Sequence, residues 1–390
     1  MTFLLYPVTV MLCLGGIYAW SIVIPGLQED YGFSASQTQW VFGSVIATFT
    51  TSMLVAHKLV QRIGYKRLLM LTGVLFCTGY LLAAFSSGNF WSILLGIGLI
   101  SGIATGFGYM ISLTSAVQYL PTKKGLVTGI VSAGFGGGSI ILTIWGDWIL
   151  MLGYDVLQLF GLIGLIYGIL ICVMAYLMPT IAYRSQSSEK GKDTSIGILP
   201  IMFMSMLMGT FAGLMVIGNI KLMGDPSFTR SQLSLAIVLF SAANFGGRLV
   251  WGMISDRIPN SVLLPLALLI QGVATYFLGN ESVPIHVFYA LVLLVGFGFA
   301  SNFVLLAKEV AHVYGVQNLG RYYPFIFLGY GLAGVLGPVT GGYLFDQHHN
   351  FIVASNISLL ISIAGGGLFL CTILPGKRWI RSMAGYTGKI

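Results

Sequence analysis

The chain is a succession of long apolar runs broken by short polar interruptions. A run of about 18–20 residues is what a helix needs to cross a bilayer core at 1.5 Å per residue. Twelve runs of that length predict spans at 5–27, 39–58, 67–86, 90–116, 124–147 and 155–179, then 198–222, 232–255, 262–279, 285–307, 321–345 and 351–374. The runs are continuous rather than alternating at every second position, which excludes the pattern of a membrane β-barrel. The longest polar stretch, Arg184 to Asp193, separates six spans from six and reads as a flexible linker. The expected organisation is an all-α membrane protein: a six-helix bundle over 1–183, a cytoplasmic linker over 184–195 and a second six-helix bundle over 196–390.

Composition sharpens this picture. The chain is 56% hydrophobic and only 8% charged, where a soluble domain carries about 25% charged residues on its surface. Too few charges remain to cover a water-facing surface. The N-terminal segment has no basic stretch ahead of its apolar run, and that run is long enough to span, so it reads as a retained helix and not a cleaved signal. Cys13, Cys77, Cys172 and Cys371 lie singly inside apolar runs. Their spacing suits neither a metal site nor a redox pair, and no cofactor is expected.

Charge placement sets the orientation. With the N-terminus inside, the inner loops and tail hold Lys58, Arg62, Lys66, Arg67, Lys123, Lys124, Arg184, Lys190, Lys192, Arg257, Lys308, Arg321, Lys377, Arg378, Arg381 and Lys389, all but three of the 19 basic residues. Lys221 and Arg230 fall in outer loops and Arg248 falls within a span. This is a strong positive-inside bias. It predicts a multi-pass protein of the cytoplasmic membrane with both termini cytoplasmic. A basic inner face against anionic lipid accounts for the net charge of +8 without a nucleic-acid partner.

The two halves repeat at an offset of 195 residues, half the chain of 390. Phe33, Ser36 and Gln37 match Phe228, Ser231 and Gln232, Arg62 matches Arg257, and Gly125 matches Gly320. Gly134, Phe135 and Gly136 match Gly329, Tyr330 and Gly331. A repeat of six spans keeps both halves in one orientation, the arrangement of a major transporter architecture with its site between the halves near the midplane.

After the eighth span, Gly252 is followed four residues on by Asp256 and Arg257. This resembles the signature loop of the major facilitator superfamily. A worn first-half copy has His57 for the glycine and Gln61 for the acid, and keeps Arg62. The resemblance assigns Arg62, Asp256 and Arg257 to an inner gate that relies mainly on the second copy. Longer stretches resemble the oxalate/formate antiporter family, related to the proton-linked monocarboxylate transporters. They are Tyr18-Ala-Trp20 in span 1, Tyr119-Leu-Pro121-Thr-Lys123-Lys124-Gly125 before span 5, Ala212 to Gly218 in span 7 and Asn244 to Gly252 in span 8. The resemblance covers nearly the whole chain and implies organic-anion transport by alternating access.

Arg248 is the central candidate. A cation within hydrocarbon costs roughly 2.5–3.5 kcal/mol on the insertion scale, so intramembrane charge is read as functional. A guanidinium fork fits a carboxylate bidentately. Snorkelling to the inner surface is the competing role, about 9 Å away at 1.5 Å per residue. The resemblance implies that the arginine at this place binds the substrate carboxylate. It also places Tyr330 where dicarboxylate exchangers carry a lysine. One cation suits one carboxylate, so the expected cargo is a small monocarboxylate such as lactate, pyruvate or formate. By the same alignment Tyr18, Trp20, Phe135, Phe299, Phe303 and Phe327 line the cavity. Asn244, four residues before Arg248, shares its helix face.

Exchange is expected over proton symport, because Asn244 cannot titrate and no Asp or Glu lies mid-span. Proton-coupled symport and oxalate/formate-type exchange are the alternatives. A drug or sugar carrier of the same fold ranks lower, as does a membrane enzyme, for which no Ser/His pair, carboxylate pair or His cluster lies at one depth. A single chain is expected to work as a monomer.

Overall fold

Ser34 and Thr229 stand at the same place in the repeat, each three residues before a glutamine. Both start helices. The Ser34 hydroxyl accepts from the Gln37 amide and the Gln37 side chain accepts from the Ser34 amide; Thr229 and Gln232 form the same reciprocal pair. Two orphan amides are satisfied at each start. A second pair of caps keeps the offset: Asp155 caps one helix through Gln158 N, and Asn350 caps another through Ile352 N. The repeat read from the sequence is therefore a repeat of local structure.

The structure is a computed structural model and describes residues 4–119, 124–179, 198–255, 257–280, 283–314 and 319–370. Twelve helices among them are long and apolar enough to cross a membrane. The first half holds α1 (Leu5–Ile22), α2 (Ala35–Ala56), α3 (Lys58–Ala84), α4 (Phe90–Ala116), α5 (Ile130–Met151) and α6 (Val156–Leu177). The second holds α7 (Leu199–Met223), α8 (Arg230–Ser255), α9 (Asn260–Gly279), α10 (Ile285–Tyr314), α11 (Tyr322–His348) and α12 (Ile352–Leu370). The architecture is all-helical, two parallel six-helix repeats. Large apolar side chains such as Trp91, Ile144, Trp148, Tyr176, Met253 and Leu360 point outward, which suits a lipid-facing surface and makes this a multi-pass membrane protein. The expected linker, 184–195, lies outside the described residues.

Several boundaries differ from expectation for identifiable reasons. The hydrophobic pattern starts span 2 at residue 39, but the Ser34–Gln37 cap starts the helix at Ala35. Span 3 was expected from 67. The basic segment before it is already helical, and the run Ala35–Ala84 breaks at Gly64, whose φ of 80° is free only to glycine. Span 1 was expected to reach 27; the helix tightens to 3₁₀ turns over Gly16–Ile22 and a separate short helix, Ile24–Tyr31, follows. Gly15 explains the tightness on one side, since a Cβ there would overlap the backbone of Phe135 in α5.

The halves meet chiefly through α2 against α11 and α5 against α8. Small residues set the α2–α11 spacing: a Cβ on Gly43 would come 2.8 Å from the Gly334 carbonyl, and Gly331 and Gly334 face Thr50 and Ile46. Gly136 faces Phe245 of α8 across the other seam, while Gly134 and Gly138 pack on α1 and Gly329 and Gly337 on α7, inside a half. Most in-span hydroxyls bond back to their own helix, as Thr72 does to the Leu68 carbonyl, while some buried amides tie helices together. Gln271 and Asn302 both donate to the Gly209 carbonyl of α7, at 2.9 and 3.1 Å.

Arg62, Lys66, Arg67 and Arg257 are exposed at one end of the bundle, here the basic end. At the far end the halves are bonded together. Asp346 at the end of α11 accepts from the first two amides of α2, Ala35 N and Ser36 N, both at 2.9 Å. A carboxylate at a helix N-terminus satisfies orphan donors and meets the positive end of the dipole. Gln39 Nε2 donates to the Gly218 carbonyl at 2.9 Å, and Ser21 Oγ donates to Ile217 O at 2.6 Å.

Candidate functional site

Arg248 sits on α8 about a turn and a half from its middle, toward the basic end. The side chain is 9% exposed and does not snorkel out. Its Nε donates to Asn244 Oδ1 at 3.2 Å, the i,i−4 neighbour. Its Nη1 donates to the Ser132 carbonyl of α5 at 3.3 Å, across the seam between the halves. The guanidinium carbon lies 4.5 Å from the ring centroid of Phe303, a cation–π contact. Tyr109 of α4 is a further polar neighbour. No carboxylate pairs with Arg248 among the described residues.

Asn244 is fully buried and its two polar atoms do different things. Arginine only donates, so the amide oxygen must face it. That leaves Asn244 Nδ2 as a buried donor without a partner. Such a group is costly unless something accepts from it. A buried cation with spare N–H groups beside an unused amide donor is a place suited to an anion.

Aromatic rings close around this pair. Phe299 and Phe303 of α10, Phe327 and Tyr330 of α11, Tyr18 of α1 and Phe135 of α5 form one contacting group. The Tyr18 and Tyr330 hydroxyls are 2.7 Å apart and bond the two halves directly. The rings exclude water, which strengthens any charge interaction they enclose.

The structure thus brings together Arg248, Asn244, Tyr18, Phe135, Phe299, Phe303, Phe327 and Tyr330. Trp20 is placed elsewhere. Its indole N–H donates to the Thr38 carbonyl at 3.0 Å and its ring stacks on Phe160 of α6. It is two residues from Tyr18, and in the 3₁₀ turns of Gly16–Ile22 two residues rotate by about two-thirds of a circle, onto another face. Arg62 and Arg257 lie at the basic end, far along the chain from the rings, and Asp256 lies outside the described residues.

Sequence reasoning missed Phe49 and Tyr109, and also Tyr323 beside Phe327 and Phe240 beside Phe299. Phe49 of α2 contacts Phe135, Phe327 and Tyr330, and Tyr109 contacts Phe49, Phe135 and Phe327. Phe49 was findable, since the 195-residue offset carries it onto Asn244. Tyr109 lies in an apolar run with no motif around it. A further correction concerns Lys221, expected in an outer loop. It lies within the last turn of α7, buried, with Asp147 of α5 at 3.3 Å.

A family model described as Major Facilitator Superfamily matches residues 5–216 and 198–381. The chain belongs to the major facilitator superfamily. It is a membrane transporter. It is 28% identical over 340 residues to YhjX of Escherichia coli, described as an uncharacterised transporter of this superfamily, covering 83% of this chain and 82% of that one. It is 22% identical over 377 residues to the oxalate:formate antiporter of Oxalobacter formigenes, covering 92% and 88%. Its fold is similar to the xylose transporter XylE from E. coli in the inward-open conformation, with a TM-score of 0.78 at 13% identity over 96% of both chains. Ligation by metal has no candidate among the described residues, where no group of three His, Cys, Asp or Glu converges.

Proposed function

We propose that the protein carries small organic monocarboxylates across the cytoplasmic membrane, with the carboxylate held by Arg248. The observation that carries this reading is the buried guanidinium, with no carboxylate partner among the described residues, beside the unpartnered Asn244 Nδ2. The fork takes the carboxylate, the amide donates a further bond, and the Tyr18–Tyr330 hydroxyl pair meets a hydroxyl or keto oxygen. A single cation in an aromatic enclosure suits one negative charge. A second carboxylate would be buried without a counter-charge. The similarity to an oxalate:formate antiporter supports an anionic cargo, and Tyr330 disfavours oxalate itself.

Exchange is the favoured mode. Empty, the carrier must move a buried guanidinium through the occluded state without a counter-ion; loaded, it does not. The far end is shut by the Asp346 and Gln39 contacts, so in this conformation the cargo enters from the basic end, which we place in the cytoplasm. Arg62, Asp256 and Arg257 form the gate on that side, and Asp256→Asn slows exchange more than it weakens binding.

Uptake of labelled lactate, pyruvate, formate and oxalate into proteoliposomes tests the reading. Lactate, pyruvate or formate should accumulate fastest in vesicles preloaded with a monocarboxylate. Oxalate outcompeting them overturns the cargo assignment. Concentrative uptake into anion-free vesicles, driven by an inward proton gradient and abolished by a protonophore, replaces exchange by symport.

A further inference from the structure

Lys221, Arg230 and Asp147 meet at the far end of the seam. Lys221 is on α7 and Arg230 opens α8, both in the second half; Asp147 is on α5, in the first. Lys221 Nζ is 3.3 Å and Arg230 Nε 3.1 Å from one oxygen, Asp147 Oδ1. The Lys221 and Asp147 side chains are almost fully buried, 2% and 6% exposed, while Arg230 is 46% exposed. The charged groups acting on Lys221 are Asp147 and Arg230. The cluster therefore carries two cations against one anion even when shut.

In alternating access this seam has to part. Parting carries Asp147 away with the first half and leaves both cations on the second. A buried ammonium stripped of its counter-charge is strongly unfavourable, so the opened form favours any anion that can replace the carboxylate. The cluster is well placed for this. Lys221 follows Gly218, the residue whose carbonyl receives the far-end bonds from Gln39 and Ser21, by one helical turn. Arg230 and Arg248 stand on the same helix, 18 residues apart, which is about 27 Å at 1.5 Å per residue.

We propose that Lys221 and Arg230 form a second, outer binding site for the carboxylate cargo, occupied by Asp147 while the far end is shut and yielded to an incoming carboxylate as it opens. Asp147 is then a built-in competitor of the cargo. The inference rests on the anion-carrier reading and adds an entry site to it, so that cargo meets two arginine-containing sites in sequence, Lys221–Arg230 first and Arg248 second.

The test is sided transport of lactate in vesicles of known orientation. Lys221→Gln should raise the KM for lactate offered at the far side by about tenfold, the effect of losing roughly 1.4 kcal/mol of binding. Arg230→Gln, whose side chain is half in water, should raise it by a smaller factor. Asp147→Asn removes the competitor and should lower the same KM. None of these should move the basic-side KM comparably. A mere latch makes a different pattern: Lys221→Gln and Asp147→Asn both loosen the seam and shift the far-side KM in the same direction, which overturns the proposal. If Asp147→Asn does not fold because Lys221 is left unpaired, the double variant Lys221→Gln/Asp147→Asn removes the buried ammonium along with its partner and keeps the cluster's wild-type net charge, with Arg230 alone. An outer anion site predicts that its far-side KM stays as high as in Lys221→Gln; recovery to the wild-type value contradicts it. Wild-type lactate transport from the basic side, lost in Arg248→Gln, shows separately that the parent reading stands. A wild-type protein that moves no carboxylate from either side removes both.

Discussion

α2 and α8 begin alike and diverge within four turns. Each opens on a hydroxyl–glutamine cap, Ser34 with Gln37 and Thr229 with Gln232. Each packs along the seam, α2 on α11 and α8 on α5. Then, at the same 195-residue offset, α2 carries Phe49 and Met53 where α8 carries Asn244 and Arg248. Met53 is 4% exposed, a buried apolar side chain in the counterpart of the cation's place. The scaffold is duplicated and the chemistry is not. The first half supplies walls (Tyr18, Phe49, Tyr109, Phe135), and the second supplies walls and the charge.

The largest expected effect comes from removing that charge. Arg248→Gln should reduce carboxylate transport at least about 30-fold, since taking one partner from a buried charge pair costs about 2–5 kcal/mol. Arg248→Lys keeps the charge without the fork and should fall short as well. Proteoliposome uptake, alongside a check of folding by size-exclusion profile, reads both. Moving the cation breaks the comparison more pointedly. Arg248→Met combined with Met53→Arg should be as inactive as Arg248→Met alone, because Phe49 offers the transplanted guanidinium no amide oxygen. Recovered uptake in the double variant shows that the halves are interchangeable after all.

A smaller effect, near tenfold, is expected for Asn244→Asp at neutral pH. The new carboxylate pairs with Arg248 in place of the cargo. Protonating it frees the guanidinium, so uptake by this variant should recover as the pH falls through that carboxylate's pKa, while wild type shows no such recovery. A flat pH profile contradicts the Asn244–Arg248 pairing as the binding element.

Tyr330→Phe deletes one hydroxyl of the cross-half pair and should cost about two- to tenfold in KM, the size of a hydrogen bond worth about 0.5–1.5 kcal/mol. Tyr330→Lys adds a second cation and should raise oxalate transport relative to lactate. Least of all, Trp20→Phe should lower thermal stability through its lost bond to Thr38 and leave the lactate-to-formate preference in place. A changed preference returns Trp20 to the cavity.

The twelve spans and the repeat were legible because bilayer thickness fixes run length and because Gln37/Gln232 and Gly134/Gly329 recur at one offset. Helix starts were not legible from apolar runs, since caps such as Ser34 lie in polar sequence ahead of the first apolar turn. Arg248 stood out because charge is conspicuous in hydrocarbon. Tyr109 and Phe49 did not, since an aromatic residue in an apolar run reads the same whether it packs on lipid, on another helix or around a substrate. Lys221 was misplaced for a related reason. Charge at the end of an apolar run reads as a loop residue until its partner is known, and Asp147 is 74 positions away. Trp20 shows the converse: sequence adjacency to Tyr18 does not confer a shared helix face.

The central claim is that Arg248 holds a single carboxylate, and equilibrium binding of labelled lactate to the purified protein tests it without the complications of turnover. Wild type should bind lactate at a site that depends on Arg248, displaced by formate or pyruvate more readily than by oxalate. Arg248→Gln, folded and monodisperse, should show binding weakened at least about 30-fold. Lactate bound equally well by Arg248→Gln would contradict the account at its root.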